Sequence, residues 1–187
     1  VGIVTDGRAL VPKAIDLQPD VVVLDIGMPL LNGLDAGRKI KQSMPGVKLI
    51  FLTMNEDPEL ATEALALGAS GFLLKTSAAR ELPEAIRTAL RGNTYVTSKA
   101  SQRMVESFIQ GGDRSANNGL TSRQREVLQL LAEGYTMKNA AGVLHVTPRT
   151  IAFHKYRVMQ QFRLKSNAEL IQFAIDRRLT LGVRTAS

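Results

Sequence analysis

The chain has 187 residues, 44% hydrophobic and 22% charged, as expected for a globular protein of one domain or two small ones. It has no cysteine, which excludes disulfides and thiolate metal sites and fits a reducing cytoplasm, and it shows neither a membrane-spanning apolar run nor a signal-peptide pattern. Residues 1–110 contain 12 basic and 12 acidic residues, whereas residues 111–187 contain 12 basic and 5 acidic residues. The net charge of +7 therefore lies in the C-terminal part, and it indicates a polyanionic partner, nucleic acid before membrane.

The first half alternates short apolar runs with segments of helical spacing. The apolar runs, which predict strands, are Val1–Val4, Val21–Leu24, Val47–Leu52 and Gly71–Leu74. The segments with helical spacing are Arg8–Leu17, Leu34–Met44, Pro58–Leu67 and Ala78–Arg91. Asp57 is a predicted N-cap, and Pro12 fits only the first turn of its helix. This alternation predicts a parallel sheet with helices on both faces.

Polar side chains follow three of the predicted strands directly. Asp25 ends the run Val21–Leu24, Thr53 follows Leu52, and Lys75 follows Leu74. Ligands of open parallel sheets bind beyond the carboxyl ends of the strands, so a carboxylate, a hydroxyl and an ammonium group are expected at one edge. One such residue alone is a weak signal, and the three together are a strong one.

These residues resemble the receiver domain of bacterial response regulators. The matching stretches are residues 19–29 (PDVVVLDIGMP), Asn32-Gly33-Leu34, Phe51-Leu52-Thr53 and residues 68–75 (GASGFLLK). The resemblance implies a flavodoxin-like α/β fold in which Asp25 accepts a phosphoryl group from a sensor histidine kinase. Asp25 and the Gly27 carbonyl would be Mg²⁺ ligands, and Thr53 and Lys75 would bind the phosphate. Phe72 corresponds to the aromatic side chain whose rotamer follows Thr53.

The resemblance begins part of the way into the family's pattern. The family starts with a further strand, which ends in an acidic pair that binds Mg²⁺, and with a helix; this chain begins at the match to the second strand, Val1–Val4. We therefore expect a truncated chain, or a start codon assigned too far downstream, and doubtful Mg²⁺ binding. In the alternative, Val1–Val4 fills the central position of the sheet and Asp6 stands near Asp25 as a substitute ligand.

Residues 1–92 are thus the predicted receiver and residues 93–119 a linker that includes a helix. The stretch Gly111–Gly119 has almost no apolar content, as expected for a flexible linker. Residues 120–187 then read as an all-α domain with capped helix starts. The predicted N-terminal caps are Thr121, with a capping box to Gln124, then Thr136, Thr147 and Ser166. His145-Val146 joins two short helices into a helix-turn-helix.

This part resembles the four-helix LuxR-type DNA-binding domain of the NarL/FixJ group. The matching residues include Leu120-Thr121, Arg125-Glu126-Val127-Leu128, Leu131-Ala132, Gly134, Lys138, Leu144, Thr147, Thr150-Ile151 and His154. Asn139 and Ala152 stand where the family usually has Glu and Lys, so sequence preference cannot be copied from relatives. The resemblance implies binding to double-stranded DNA, and Lys138, Thr147 and Thr150 are candidates for contacts with its backbone.

The second helix of the helix-turn-helix has two distinct faces. Ile151, Val158 and Phe162 form its predicted core stripe. The opposite face carries the candidates for base or phosphate contact, which are Arg149, Phe153, Tyr156, Arg157 and Gln160. Lys155 is expected at the core edge, with its ammonium group reaching outward to a phosphate. The alternative for the two aromatic residues is packing on the neighbouring domain.

The combined reading is a non-enzymatic transcriptional regulator of a two-component phosphorelay, switched by phosphorylation of Asp25. A second apolar stripe on the last helix, Ile171 and Ile175, is a candidate homodimer contact. The runner-up is a DNA-binding regulator whose degenerate receiver serves only protein contact. A phosphatase with Asp25 as nucleophile is remote, because Gly27 stands where its general acid would be needed.

Overall fold

The computed structural model describes residues 1–109, 119–177 and 179–180, and these divide into two compact units. The first unit contains residues 1–28 and 33–109, and the second contains residues 29–32 with the described residues from 119 onward. The predicted linker Gly111–Gly119 lies, apart from Gly119, outside the described residues. Within the described part of the chain, no helix is both long and apolar enough to cross a membrane.

The first unit is built on a four-stranded parallel sheet in sequential order. Its strands are β1 (Val21–Asp25), β2 (Lys48–Thr53), β3 (Gly71–Leu74) and β4 (Tyr95–Val96). Its helices are α1 (Gly7–Leu17), α2 (Gly33–Ser43), α3 (Pro58–Ala66), α4 (Lys75–Leu90) and α5 (Ser98–Ile109). The predicted parallel α/β fold is confirmed.

The core of this unit lies on both faces of the two central strands. Leu49, Phe51 and Phe72 are buried in one apolar cluster, and Ile50 and Leu73 in another on the opposite side. Both faces of β2 and β3 are therefore covered, which explains their nearly continuous apolar sequence. In β1 the residues alternate, with Val22 and Leu24 buried and Val23 exposed. Helices were expected to cover both faces of this strand, and only one face is buried.

Four predicted element positions in this unit differ from the structure. Val1–Val4 forms no strand and joins no sheet, so neither the match to a second strand nor the alternative central strand is realised. Pro12 lies inside α1, beyond its first turn, because Asp6 caps the helix N-terminus. Helix α4 begins at Lys75, three residues before the predicted start. The helix expected between residues 93 and 119 is present as α5, but residues 95–109 also include β4 and pack on the sheet, because Tyr95–Val96 pairs with Gly71–Phe72.

The second unit contains four helices with the predicted caps. They are α6 (Ser122–Ala132), α7 (Met137–Leu144), α8 (Pro148–Gln161) and α9 (Asn167–Asp176). Thr121 forms the full capping box with Gln124. The side chains of Thr136, Thr147 and Ser166 each accept a hydrogen bond from the backbone N–H of the residue three positions later. His145 ends α7 in the left-handed conformation, at φ 52°, and so makes the tight turn of the helix-turn-helix.

Candidate phosphoacceptor site and DNA-binding helix

Asp25 and Lys75 meet at the carboxyl edge of the sheet, as predicted. The Lys75 ammonium donates to Asp25 Oδ2 at 2.6 Å, and the Gly27 backbone N–H donates to Asp25 Oδ1 at 3.0 Å. The two side chains are 31% and 35% exposed, so the pair is held in place and can be reached from solvent. The carboxylate therefore lies at a solvent-accessible edge beside a fixed positive charge.

Thr53 lies at the end of β2 and Phe72 lies in β3. The carboxyl ends of these two strands form this edge of the sheet together with that of β1. Thr53 is buried, faces Leu74 across the β2–β3 pair, and its hydroxyl oxygen accepts from the Asn55 backbone N–H at 3.0 Å. Phe72 is fully buried beside Phe51 in the sheet register. The hydroxyl thus bonds within its own loop here, and Phe72 occupies an inward position.

Gly33 brings α2 directly against the strand that carries Asp25. Its N–H donates to the Ile26 carbonyl at 2.9 Å, and a Cβ added to Gly33 would lie 2.8 Å from Ile26 Cα. Side chains larger than hydrogen do not fit at that approach. The sequence indicated only an Asn-Gly turn before a helix. The packing shows that Gly33 also sets how closely α2 approaches the end of the strand that carries Asp25.

The predicted Mg²⁺ ligands provide a single carboxylate. Among the described residues, no group of three or more His, Cys, Asp or Glu side chains could hold a metal ion. Mg²⁺ in proteins commonly binds through one or two carboxylates and completes its octahedral shell with phosphate oxygens and water. At this edge Asp25 and the Gly27 carbonyl would supply two ligands, and most of the shell would come from phosphate and solvent.

The orientation predicted for α8 is confirmed by its burial pattern. Ile151 and Val158 are fully buried, in two adjoining apolar clusters, and Phe162 packs against the cluster that contains Val158. The predicted outward residues, which are Arg149, Phe153, Tyr156, Arg157 and Gln160, are all exposed. Lys138 is exposed at the start of α7, and the Thr147 and Thr150 hydroxyls bond to each other at 3.0 Å at the start of α8.

Two aromatic rings stand out from α8 beside positive charges. Phe153 and Tyr156 are 55% and 59% exposed. The Arg157 guanidinium lies 5.5 Å from the centre of the Phe153 ring. Lys155 is 8% exposed as a whole residue, at the edge of the core as expected, and its ammonium lies 5.2 Å from the centre of the exposed Tyr156 ring. Its contact with a DNA phosphate stays a prediction.

Arg123 joins α6 to the end of the first helix of the helix-turn-helix, a contact that the sequence pattern missed. It donates to the Leu144 carbonyl at 3.0 Å, at the end of α7, and pairs with Glu126 at 3.3 Å. Burial, and then the charges of Arg123 and Arg157, lower the pKa of His154 below its usual value. His154 therefore favours the neutral form, which leaves the positive charge on this face of α8 to the arginines.

Family comparisons match both units. The receiver domain of response regulators matches residues 1–87, and the luxR family of bacterial regulatory proteins matches residues 118–174. The oxygen regulatory protein NreC of Staphylococcus carnosus is 36% identical over 181 residues, which cover 93% of this chain and 83% of the relative. NreC of Staphylococcus aureus is 35% identical over 96% of this chain and 86% of the relative.

Solved structures show a similar arrangement of elements. RcsB from Salmonella enterica serovar Typhimurium, bound to a promoter in the presence of the phosphomimetic BeF3⁻, is 28% identical. It matches with a TM-score of 0.59 over 94% of this chain and 85% of that chain. A further structure of the RcsB response regulator from Salmonella typhimurium matches with a TM-score of 0.60 and 25% identity, over 92% of this chain and 82% of that one.

Proposed function

The chain belongs to the response regulators in which a receiver domain precedes a LuxR-type DNA-binding domain, and on that basis we propose that Asp25 is its phosphoacceptor. Members of this family are DNA-binding transcription regulators of two-component systems, with a sensor histidine kinase and DNA as partners. The pair of Asp25 with Lys75 at the sheet edge is the observation that carries the assignment of the residue.

The chemistry proposed for Asp25 is the formation of an acyl phosphate. A carboxylate oxygen attacks the phosphorus of the donor, the bond from phosphorus to the donor breaks, and the donor leaves with the electron pair. The Lys75 ammonium, already 2.6 Å from Asp25 Oδ2, then pairs with the added negative charge, and the Thr53 hydroxyl is the neighbouring donor for a phosphate oxygen. Receiver domains use Mg²⁺ for this step, and when bound it neutralises charge on the transferring group.

Labelling by a small phosphodonor tests the assignment. The full chain is incubated with acetyl phosphate and Mg²⁺, and intact mass reports one added phosphoryl group that hydroxylamine removes. Asp25→Asn should abolish labelling, whereas Asp20→Asn is the matched control, because Asp20 precedes the opposite end of β1. Label that persists in Asp25→Asn contradicts the assignment. A wild-type chain that takes no label favours the degenerate-receiver alternative.

We further propose that α8 enters the major groove with its exposed face. Arg149, Arg157 and Gln160 are the candidates for base edges or phosphates, and Phe153 and Tyr156 are candidates for thymine methyl groups. Lys138, Thr147 and Thr150 would contact the backbone, as helix N-termini and short polar side chains commonly do. The excess positive charge of the C-terminal part supports this placement.

Replacing thymine by deoxyuridine tests the aromatic contacts directly, since it removes only the C5 methyl group. On a duplex selected by the full chain, loss of one contacted methyl should weaken binding by about 0.8 kcal/mol, or roughly fourfold. Phe153→Ala should bind the thymine and deoxyuridine duplexes equally. Phe108→Ala, which removes an 86% exposed ring on α5, is the matched control and should keep the fourfold difference. A difference that survives in Phe153→Ala excludes contact between Phe153 and that methyl group.

We infer that the chain binds DNA as a homodimer. One similar solved structure is described as two RcsB dimers bound to two parallel DNAs, at 25% identity and a TM-score of 0.54. In α9, Leu170 and Ala174 are buried in the core, and Ile171 also packs against it, which leaves Ile175 as the better candidate from the predicted stripe. Sedimentation with one DNA site should show two chains per duplex, and Ile175→Glu should reduce this to one.

A further inference from the structure

Thr97 connects β3 with α5. Strand β3 carries Phe72 and leads into Lys75, and α5 is the last described helix of the first unit. Its backbone N–H donates to the Phe72 carbonyl at 3.0 Å, and its hydroxyl oxygen accepts from the Leu74 N–H at 3.3 Å. Its carbonyl accepts from the Ser101 N–H at 3.0 Å, in the first turn of α5. One residue therefore holds both β3 and α5.

The Thr97 hydroxyl is fixed in direction by Glu81. It donates to Glu81 Oε2 at 3.0 Å, which leaves its oxygen to accept from Leu74, and the residue is 5% exposed. The Tyr95 hydroxyl donates to the same carboxylate oxygen at 3.3 Å but makes no bond to β3 through that hydroxyl. Burial raises the pKa of Glu81, but hydrogen bonds from Thr97, Ser77 and other residues lower it by more. The pKa of Glu81 therefore lies below its usual value, and the carboxylate stays a hydrogen-bond acceptor.

A second connection ties α5 to the loop after Thr53. Glu56 in that loop pairs with Lys99, and with Arg103 at 3.4 Å, both on α5. All three side chains are solvent-accessible, so water and salt screen these pairs and they contribute little rigidity. The buried joint at Thr97 is the stiffer of the two connections.

We propose that Thr97 is a positioning residue that couples the Asp25–Lys75 pair to α5; this rests on the proposed role of Asp25. Leu74 immediately precedes Lys75, so a change in the partner of the Lys75 ammonium reaches the Leu74 N–H within one residue. The Thr97 hydroxyl passes that displacement to the start of α5. Without the hydroxyl, the hydrogen bond from the Thr97 N–H to the Phe72 carbonyl still holds β3 and α5 together. A displacement at the end of β3 is then no longer passed to α5.

Residue-resolved amide hydrogen exchange on the full chain tests this coupling without phosphate. The variants are Asp25→Asn, Thr97→Val, Thr97→Ser and Tyr95→Phe, together with Asp25→Asn combined with each of the other three. Asp25→Asn should speed exchange at Leu74 and Ser101 by about two- to tenfold, the change expected for weakening one hydrogen bond. The Ser101 response should vanish in the Thr97→Val background and remain with Thr97→Ser and with Tyr95→Phe, the matched control.

Two results overturn the proposal: a Ser101 response of equal size with and without the hydroxyl, or no Ser101 response in any background. If Thr97→Val does not fold, wild type and Asp25→Asn still decide, because a Ser101 response without a Leu74 response excludes this route. Acetyl phosphate labelling is measured separately. Failure of labelling therefore removes the phosphoacceptor assignment, and failure of the exchange coupling removes only the role of Thr97.

Discussion

Replacing Gly33 with alanine tests whether α2 must approach the Asp25 strand with no side chain between them. A Cβ at this position would lie 2.8 Å from Ile26 Cα and 2.9 Å from the Asp25 carbonyl carbon, and closer still to the carbonyl oxygen. These are backbone atoms, so none can turn away by a change of rotamer. Either α2 or the end of β1 must move.

The expected cost follows from two opposing effects. Alanine favours a helix over glycine by about 1 kcal/mol in a helix interior, but Gly33 is the first residue of α2, and its N–H bonds outside the helix to Ile26. Forcing a methyl group into a tightly packed place costs about 1–3 kcal/mol. The steric cost should win, with a net loss of about 2 kcal/mol. At about 4–8 °C per kcal/mol, the receiver transition should fall by roughly 8–16 °C.

Differential scanning calorimetry of the full chain measures this shift. Gly46→Ala is the matched control, because it lies in the same unit and its added Cβ would meet no atom within 4 Å. We expect it to change the melting temperature by only a few degrees. Gly33→Ala should also slow acetyl phosphate labelling, because Asp25 is displaced. A variant that melts within about 2 °C of wild type and labels at the wild-type rate refutes the argument from close approach.

Four further predictions concern the second unit. Gly142→Ala should stabilise α7 by about 0.5–1 kcal/mol, since its Cβ would meet no atom within 4 Å, and a lower melting temperature would contradict this. Because the folded pKa of His154 lies below 6.5, its contribution to stability should be complete above about pH 6.5 and be lost as the pH falls through the folded pKa. Urea denaturation of His154→Gln should lack that step, and an unchanged step would exclude the histidine. Lys155→Ala should flatten the slope of log affinity against log salt concentration by about one unit, as expected for a phosphate contact, whereas an unchanged slope together with lower thermal stability would make Lys155 a packing residue only. Tyr156→Ala should instead weaken binding to the preferred site, at a cost of about 1–3 kcal/mol, and leave stability unchanged.

The sequence alone determined those features whose physical cause is local. The run Val21–Leu24 predicts a strand because its residues are β-branched or aliphatic and end at a turn, and β1 lies there. Caps such as Thr121 and Thr147 are satisfied within three residues, so their pattern locates the starts of α6 and α8. The carboxyl ends of the strands of one parallel sheet share an edge, and this was enough to bring Asp25 and Lys75 together.

The tertiary structure decided those features that depend on partners distant in the chain. Tyr95–Val96 is too short to be recognised as a strand, and it becomes one through pairing with β3. That pairing in turn places Thr97 against Leu74, a contact across 23 positions that no local pattern signals. Lys155 is buried because of what packs against α8, although its charge favours exposure. In each case the deciding free energy comes from a pairing or packing partner that lies elsewhere in the sequence.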